Sequence, residues 1–261
     1  MHPYLNTAVK AARSAGNIIA RAADRIDRIE VSMKKNANDL VTTIDRAAEA
    51  EIISIINKAY PDHGILGEET GEHTGSNPNQ VVWIIDPIDG TLNFVHGIPH
   101  FAVSIGIQIR GVLEHGVIYN PISNELFTAT KGAGAQLDGK RLRVSECKNF
   151  ATALIGTGFA YKRTDESIDV CMGRVSRVLE RCGDMRRAGA ASLDLAYVAA
   201  GRLDGFWEVG LSPWDIAAGA LLVREAGGFI GDFAGGDKFL ESGNVVAATP
   251  KIYPTLLELV G

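Results

Sequence analysis

The chain has 261 residues, of which 46% are hydrophobic and 22% are charged. A globular protein of this length buries roughly 70–75% of the surface that its unfolded chain exposes, so the composition excludes an intrinsically disordered chain. The formal net charge is −5 and the pI is about 5.7. Because the longest basic stretch is residues 140–143, this charge argues against a nucleic-acid-binding protein.

The cysteines and the hydropathy pattern indicate a cytoplasmic protein that does not enter a membrane. Cys147, Cys171 and Cys182 are odd in number and lack CxxC spacing, which favours neither a disulfide framework nor a zinc site. Residues 1–13 lack the apolar core of a signal sequence, and no run of about 18 apolar residues follows.

Two amphipathic helices are predicted near the N-terminus, because apolar residues recur at helical spacing over 5–26 and again after Asp45, over 47–60. A short strand at 30–35 and a turn at 36–39 are predicted between them. The polar segment that follows Glu69, up to residue 80, predicts a loop.

A run of bulky and β-branched residues at 81–85 predicts a strand that is buried on both faces and ends at Asp86. Four more strands in an antiparallel meander are predicted at 101–109, 113–119, 126–130 and 135–144. The predicted sheet is therefore mixed.

The second half of the chain alternates between helices and strands. The predicted elements are strand 153–157, helix 166–181, helix 190–200, strand 204–209, helix 214–226, strand 244–248 and helix 251–260. This order predicts a mixed α/β fold built in layers, as one continuous domain over residues 1–261.

The segment that follows the buried strand carries two carboxylates, Asp86 and Asp89, three residues apart. Pro87 stiffens the turn and Gly90 permits close backbone approach, so both carboxylates and the carbonyl of Ile88 can converge on one centre. These hard oxygen ligands favour magnesium over zinc or copper. The alternative is an ordinary turn at Asp89-Gly90 with Asp86 as a helix cap.

Gly90 and Thr91 begin a short segment, residues 92–95, with helical character. Its free N–H groups and the positive end of its dipole would face the same centre as the carboxylates. A cation site beside such an N-terminus predicts the binding of a phosphate group.

Three further acids lie where a strand ends or a helix begins, as active-site residues of layered α/β proteins do. They are Glu68, Asp45 and Asp215. As an alternative, Asp45 and Asp215 are first-turn acids that complement a helix dipole.

The strings at residues 86–94 and 214–219, together with Gly67-Glu68-Glu69, resemble the signatures of the inositol monophosphatase family in the expected order. The resemblance covers nearly the whole chain, and residues 186–208 are similar to its bacterial branch. It implies a five-layered α-β-α-β-α fold, shared with fructose-1,6-bisphosphatase, in a homodimer. It also implies hydrolysis of phosphate monoesters with two or three Mg²⁺ ions, often inhibited by lithium.

The resemblance also implies a set of site residues. The implied metal ligands are Glu68, Asp86, the Ile88 carbonyl, Asp89 and Asp215. The implied substrate contacts are Asp89, Gly90, Thr91, Arg186, Gly189, Ala191, Glu208 and Asp215. Residues 1–145 would then form a metal- and phosphate-binding half, and residues 146–261 a substrate-specificity half.

The mechanism that we expect uses a water molecule between a metal ion and the Thr91 hydroxyl, with Asp45 accepting from Thr91 and Glu68 nearby. myo-Inositol 1-phosphate is the favoured substrate. Fructose 1,6-bisphosphate, histidinol phosphate and a 3′-phosphonucleotide remain alternatives, because the motifs specify the phosphate more than the leaving group. An alternative of another class is a partner of the bacterial transcription machinery.

Overall fold

The computed structural model describes residues 2–25, 31–33, 40–159 and 166–261. This part of the chain opens with α1 (Pro3–Ala23), β1 (Val31–Met33), β2 (Leu40–Thr42) and α2 (Thr43–Ala59). Both predicted helices are confirmed, and β1 lies within the strand predicted at 30–35. The turn predicted at 36–39 lies outside the described residues.

A large mixed sheet follows, with spatial order β10-β9-β8-β7-β6-β5-β3-β4. Its strands are β3 (Gly64–Gly67), β4 (Gly71–His73), β5 (Val81–Asp89), β6 (Ala102–Ile109), β7 (Val112–Asn120), β8 (Glu125–Thr130), β9 (Gly134–Leu137) and β10 (Lys140–Arg141). The short helix α3 (Thr91–Val95) follows β5. β3 and β5 are parallel, and the other neighbouring strands are antiparallel.

Three details of this sheet differ from the prediction. β5 does not end at Asp86 but continues to Asp89. The strand predicted at 135–144 is two strands, because Asp138 and Gly139 turn the chain with φ of 50° and 79°. The segment predicted as a loop after Glu69 includes β4, which pairs with β3 at the sheet edge.

The second sheet has the order β12-β11-β13-β15-β14. The elements of this half are β11 (Leu154–Thr157), α4 (Ile168–Leu179), β12 (Asp184–Arg186), α5 (Ala191–Ala199), β13 (Gly205–Glu208), α6 (Pro213–Glu225), β14 (Phe229–Gly231), α7 (Phe239–Ser242), β15 (Val245–Ala248) and α8 (Tyr253–Val260). The predicted strands and long helices are confirmed, whereas β12, β14 and α7 were not predicted.

Strand periodicity separates the buried side chains into three apolar clusters. In β5, Ile84 packs with α5 and α6, whereas Trp83 and Ile85 pack with α1 and α2. In β13, Phe206 packs with α5 and α6, whereas Trp207 packs with α4 and α8. The layers are therefore α1/α2, the first sheet, α5/α6, the second sheet and α4/α8, which confirms the predicted α-β-α-β-α architecture. Among the described helices, none combines the length and apolar character that crossing a bilayer requires.

Helix α6 lies unusually close to the first sheet because the sheet presents glycines to it. Gly106 and Gly116 are paired across β6 and β7. A Cβ on Gly106 would lie 2.7 Å from Cβ of Ala217, and one on Gly116 would lie 2.9 Å from the carbonyl oxygen of Ala218. This close approach fixes the first turn of α6, which carries Asp215, against the sheet that carries Asp86.

Candidate active site

Three buried carboxylates converge between the two sheets. Asp86 and Asp89 lie at the end of β5, and Asp215 lies in the first turn of α6. Each offers one oxygen, and these oxygens all lie within 4.8 Å of one another. The structure thus brings together three of the predicted metal ligands, from segments far apart in the sequence.

A bulge in β5 explains how Asp86 and Asp89 reach the same centre. Residues three apart on a regular strand point to opposite faces. Here Asp86 pairs with Ser104 and Asp89 with Ala102, so β5 holds one more residue than β6 over this stretch. Oδ1 of Asp86 accepts a hydrogen bond from the Ile88 amide over 2.9 Å, which stabilises the bulge.

Glu68 follows β3, whose carboxyl end meets that of its parallel neighbour β5. The Glu68 amide donates to the Ile85 carbonyl over 3.1 Å. The next two amides, of Glu69 and Thr70, donate to the carboxylate of Glu49 over 3.0 and 2.8 Å. Glu49 is fully buried on α2 and thereby holds the loop that carries Glu68.

The clustered charge is visible in the pKa values of these acids. Burial is the largest cause that raises the pKa of Asp86 well above its usual range, followed by the charges of Glu68, Asp89 and Asp215. Burial likewise raises the pKa of Asp89 to about 6, against the opposing effect of its hydrogen bonds with Ser192. Because a cation would relieve this repulsion and all the donors are hard oxygens, the cluster could hold a metal ion such as Mg²⁺.

Asp45 and Thr91 lie beside this cluster. Oδ1 of Asp45 lies 3.1 Å from the Thr91 hydroxyl, which also lies 3.0 Å from the Ile88 carbonyl oxygen. Oδ2 of Asp45 accepts from both the amide and the hydroxyl of Thr42, which caps α2. Burial raises the pKa of Asp45. The capping interaction fixes the carboxylate so that its other oxygen faces Thr91.

The start of α3 packs against the start of α5. Gly90 caps α3 with a φ of +93°, which favours glycine, and a Cβ there would lie 3.3 Å from the Gly189 carbonyl oxygen. The Asn93 amide group donates to the carbonyls of His100 and Ala188 over 2.8 and 2.9 Å. These contacts bring the predicted Gly90, Thr91 and Gly189 into one region.

The first turn of α5 contacts the metal-ligand candidates directly. Ala191 is its first residue, and the amide and hydroxyl of Ser192 both donate to Oδ2 of Asp89, over 2.7 and 2.5 Å. Glu208 ends β13, and a Cβ on Gly158 would lie only 2.0 Å from its carboxylate. A side chain at position 158 would therefore displace the Glu208 carboxylate from this place.

Arg186 has a different environment from the other predicted residues. It is exposed, and its guanidinium forms a 2.6 Å salt bridge with Asp184, its neighbour on β12. Its described partners are Asp184 and the Met185 carbonyl, so the structure does not bring it together with the carboxylate cluster.

Comparison with known proteins decides the family. A family model described as the inositol monophosphatase family matches residues 1–261. The chain belongs to the inositol monophosphatase family. The resemblance predicted from the motifs is thereby confirmed.

Among its relatives is the Nus factor SuhB of Pseudomonas aeruginosa, 52% identical over 262 residues, which cover 100% of this chain and 96% of that protein. The crystal structure of the extragenic suppressor protein SuhB from Bartonella henselae superposes with a TM-score of 0.95 at 42% identity, covering 99% of this chain and 98% of the other. An IMPase of Thermotoga maritima gives a TM-score of 0.89 at 36% identity, covering 99% and 97%.

Four residues of this inositol monophosphatase family member lie at the site but were not predicted to do so. They are Thr42, Glu49, Ser192 and Asp194. Burial, followed by the charges of Glu208 and Asp89, raises the pKa of Asp194 well above its usual range. The only sequence signal for any of them was local: Thr42 stands three residues before Asp45, the spacing of a capping box.

Proposed function

We propose that the protein is a magnesium-dependent phosphatase that hydrolyses a small polyol phosphate monoester, with myo-inositol 1-phosphate as the favoured substrate. The observation that carries this proposal is the convergence of Asp86, Asp89 and Asp215 beside the start of α3. Fructose 1,6-bisphosphate, histidinol phosphate and a 3′-phosphonucleotide are the alternative substrates within the same fold.

We assign the binding of two or three Mg²⁺ ions to Glu68, Asp86, the Ile88 carbonyl, Asp89 and Asp215. When bound, magnesium would supply the positive charge and Lewis acidity that phosphoryl transfer to water needs. Backbone amides hold three of these acids in place, because each donates a hydrogen bond to one oxygen of a carboxylate. Oδ1 of Asp86 accepts from Ile88, Oδ2 of Asp89 from Ser192, and Oδ2 of Asp215 from the Ser212 amide over 2.8 Å.

Thr91 would orient the attacking water through its hydroxyl oxygen while the hydroxyl proton points to Asp45. Glu68, whose charge raises the pKa values of both Asp45 and Asp86, would share with Asp45 in accepting the proton that the water loses. A new bond forms between the water oxygen and phosphorus as the bond to the alcohol oxygen breaks. The leaving alkoxide would take a proton from solvent water, and the acids would return to solvent the proton that they accepted, so the products are inorganic phosphate and the free polyol.

The substrate contacts that we propose divide between the two halves of the chain. The phosphate would meet the backbone of Gly90 and Thr91 beside Asp89, and the polyol hydroxyls would meet Gly189, Ala191, Glu208 and Asp215. Arg186 is a further proposed substrate contact, although its guanidinium is paired with Asp184.

The test is phosphate release from myo-inositol 1-phosphate and the three alternative substrates, with and without Mg²⁺ and with added lithium. We expect Mg²⁺-dependent turnover that is fastest on myo-inositol 1-phosphate and that collapses in Asp89→Asn and Asp215→Asn. Asp169→Asn, on the exposed side of α4, is the matched control. Near-normal turnover in both site variants would refute the metal assignment.

A second function is favoured by the relatives that are named Nus factors. We infer that this chain also binds a component of the transcription machinery, and that this binding does not require turnover. The test is a pull-down of purified RNA polymerase and RNA factors with the wild type and Asp89→Asn. Retention by both proteins supports the inference, and retention by neither contradicts it.

We also infer a homodimer in the cytoplasm, on the resemblance to the family. Light scattering during size-exclusion chromatography measures the mass directly. A mass near twice 27.9 kDa supports the dimer, and a mass near the single chain contradicts it.

A further inference from the structure

The environment of Arg187 differs from that of its neighbour Arg186. Its guanidinium lies over the ring of Phe159, 5.7 Å from the ring centroid. Its Nη1 lies 2.6 Å from the position that a Cβ on Gly189 would occupy, so the side chain folds back over Gly189. Arg187 is exposed and forms no salt bridge with a carboxylate of the described ranges, whereas Arg186 is paired with Asp184.

On one side, Arg187 adjoins the start of α3. Gly189, whose Cβ position the guanidinium approaches, has its carbonyl oxygen 3.3 Å from the position of a Cβ on Gly90. Asn93 holds the preceding carbonyl, that of Ala188, with a 2.9 Å hydrogen bond. The loop that carries Arg187 is thus fixed against the residues to which we assign the phosphate.

On the other side, Arg187 adjoins Glu208. Phe159, which supports the guanidinium, directly follows Gly158, whose Cα lies against the Glu208 carboxylate. The positive charge of Arg187 also opposes the rise in the pKa of Asp194, which Glu208 increases. Arg187 therefore stands between the start of α3 and Glu208.

A polyol presents hydroxyl groups that both donate and accept hydrogen bonds, whereas an ionised carboxylate can only accept. Glu208, the acid to which we assign the polyol, would accept from a hydroxyl proton but, when ionised, could not donate to a hydroxyl oxygen. An arginine offers five N–H donors in a planar fork, and stacking on an aromatic ring orients that fork. The region therefore pairs acceptors on Glu208 with donors on Arg187.

We propose that Arg187 is a specificity-determining residue that donates hydrogen bonds to the hydroxyl oxygens of the polyol leaving group, opposite Glu208. This inference rests on the proposed phosphatase activity and names the residue that distinguishes a polyol from a plain alcohol. Phe159 acts as a positioning residue, because its ring holds the guanidinium over Gly189.

The experiment compares two substrates with the same six-membered ring, myo-inositol 1-phosphate and cyclohexyl phosphate, which has no hydroxyl groups. In Arg187→Met we expect kcat/KM to fall about 10- to 100-fold on myo-inositol 1-phosphate, the effect of losing a charged hydrogen bond. On cyclohexyl phosphate it should change less than about two-fold, because no such bond exists. Arg187→Lys should restore part of the selectivity. Arg181→Met is the matched control, because Arg181 is an exposed arginine that follows α4 and lies 3.9 Å from Glu258 on α8.

An equal fall on both substrates would overturn the proposal, since Arg187 would then act on the phosphate or on the fold. No change on either substrate would overturn it as well. If the wild type hydrolyses neither substrate, the proposed phosphatase activity fails separately. Saturation-transfer NMR with myo-inositol then decides the inference: binding to the wild type that Arg187→Met loses supports it, and any other pattern overturns it.

Discussion

The hydroxyl of Ser192 donates a hydrogen bond of 2.5 Å to Oδ2 of Asp89, although the two residues are 103 positions apart. The amide of Ser192 donates to the same oxygen. Two donors on one oxygen fix the rotation of this carboxylate, which lies beside those of Asp86 and Asp215. Mutation of a residue that orients a metal ligand in this way commonly lowers the affinity for the metal substantially.

We therefore expect Ser192→Ala to weaken Mg²⁺ binding about 10-fold, since the hydrogen bond from the amide remains but the hydrogen bond from the hydroxyl is lost. Isothermal titration with Mg²⁺ measures this in the absence of substrate. Ser192→Thr keeps the hydroxyl and should bind nearly as the wild type does. Unchanged affinity in Ser192→Ala would show that the amide alone suffices.

Glu49→Ala should destabilise the protein by about 2–4 kcal/mol, because it leaves the amides of Glu69 and Thr70 without their buried acceptor. Turnover should fall with it, since these amides hold the loop of Glu68. Glu49→Gln keeps one carbonyl acceptor, so its stability should lie between those of the wild type and Glu49→Ala. Urea unfolding measures the free energy, and equal stability of all three proteins would contradict the structural role of Glu49.

Thr91→Ala should lower kcat about 100-fold or more, because the hydroxyl that faces Asp45 would orient the attacking water. Thr91→Ser keeps this hydroxyl and should retain most of the activity. Steady-state kinetics on myo-inositol 1-phosphate separate kcat from KM. A rise in KM alone would instead make Thr91 a residue of ground-state binding.

The stability of the chelator-treated protein should fall as pH rises from about 4 to about 6. The folded-state pKa of Asp89 is about 6, above the ordinary value of 3.8, so the folded protein binds more protons than the unfolded chain in this window. The unfolding free energy then decreases with pH, by a few kcal/mol in total. The same deprotonation frees the carboxylate for a cation, so Mg²⁺ should raise the melting temperature more at pH 7 than at pH 5.

Thermal melting across this pH range, with and without Mg²⁺, measures both effects. Asp89→Asn cannot titrate at this position and should show a smaller dependence on pH. A pH dependence in Asp89→Asn equal to that of the wild type would assign the effect to other groups, such as Asp86 or Asp194.

Gly116→Val should destabilise the protein by about 1–3 kcal/mol, because an added side chain would meet the backbone of Ala218 at 2.9 Å. The displaced α6 would carry Asp215 away from Asp86, so Mg²⁺ affinity should fall as well. Gly111→Ala is the control, since a Cβ at that glycine meets nothing within 4 Å, although its φ of +76° adds some strain. Wild-type stability and affinity in Gly116→Val would contradict the close packing of α6.

The elements long enough to show a period were predictable from the sequence, whereas most of the three-residue strands were not. The apolar run of β5 and the amphipathic pattern of α2 extend over enough residues to define a period, but β12 and β14 hold three residues each. The end of β5 was predicted too early, because a bulge keeps Asp89 in the sheet beyond Asp86.

At the site, the motifs indicated Asp86, Asp89 and Asp215 because acids that end a strand or begin a helix stand out locally. Ser192 and Glu49 carry no such signal. A serine on a helix and an acid on an amphipathic helix are ordinary residues, and only the tertiary fold brings them to Asp89 and to the loop of Glu68.

The hydrogen bonds that join the region of β5 to α5 and α6 span between 95 and 110 positions. Protein synthesis delivers Asp86 and Asp89 well before Ser192 and Asp215, so a nascent chain carries these two acids without the segments that complete their site. Magnesium binding would therefore indicate that α6 of the emerging chain has packed against the glycines of the first sheet.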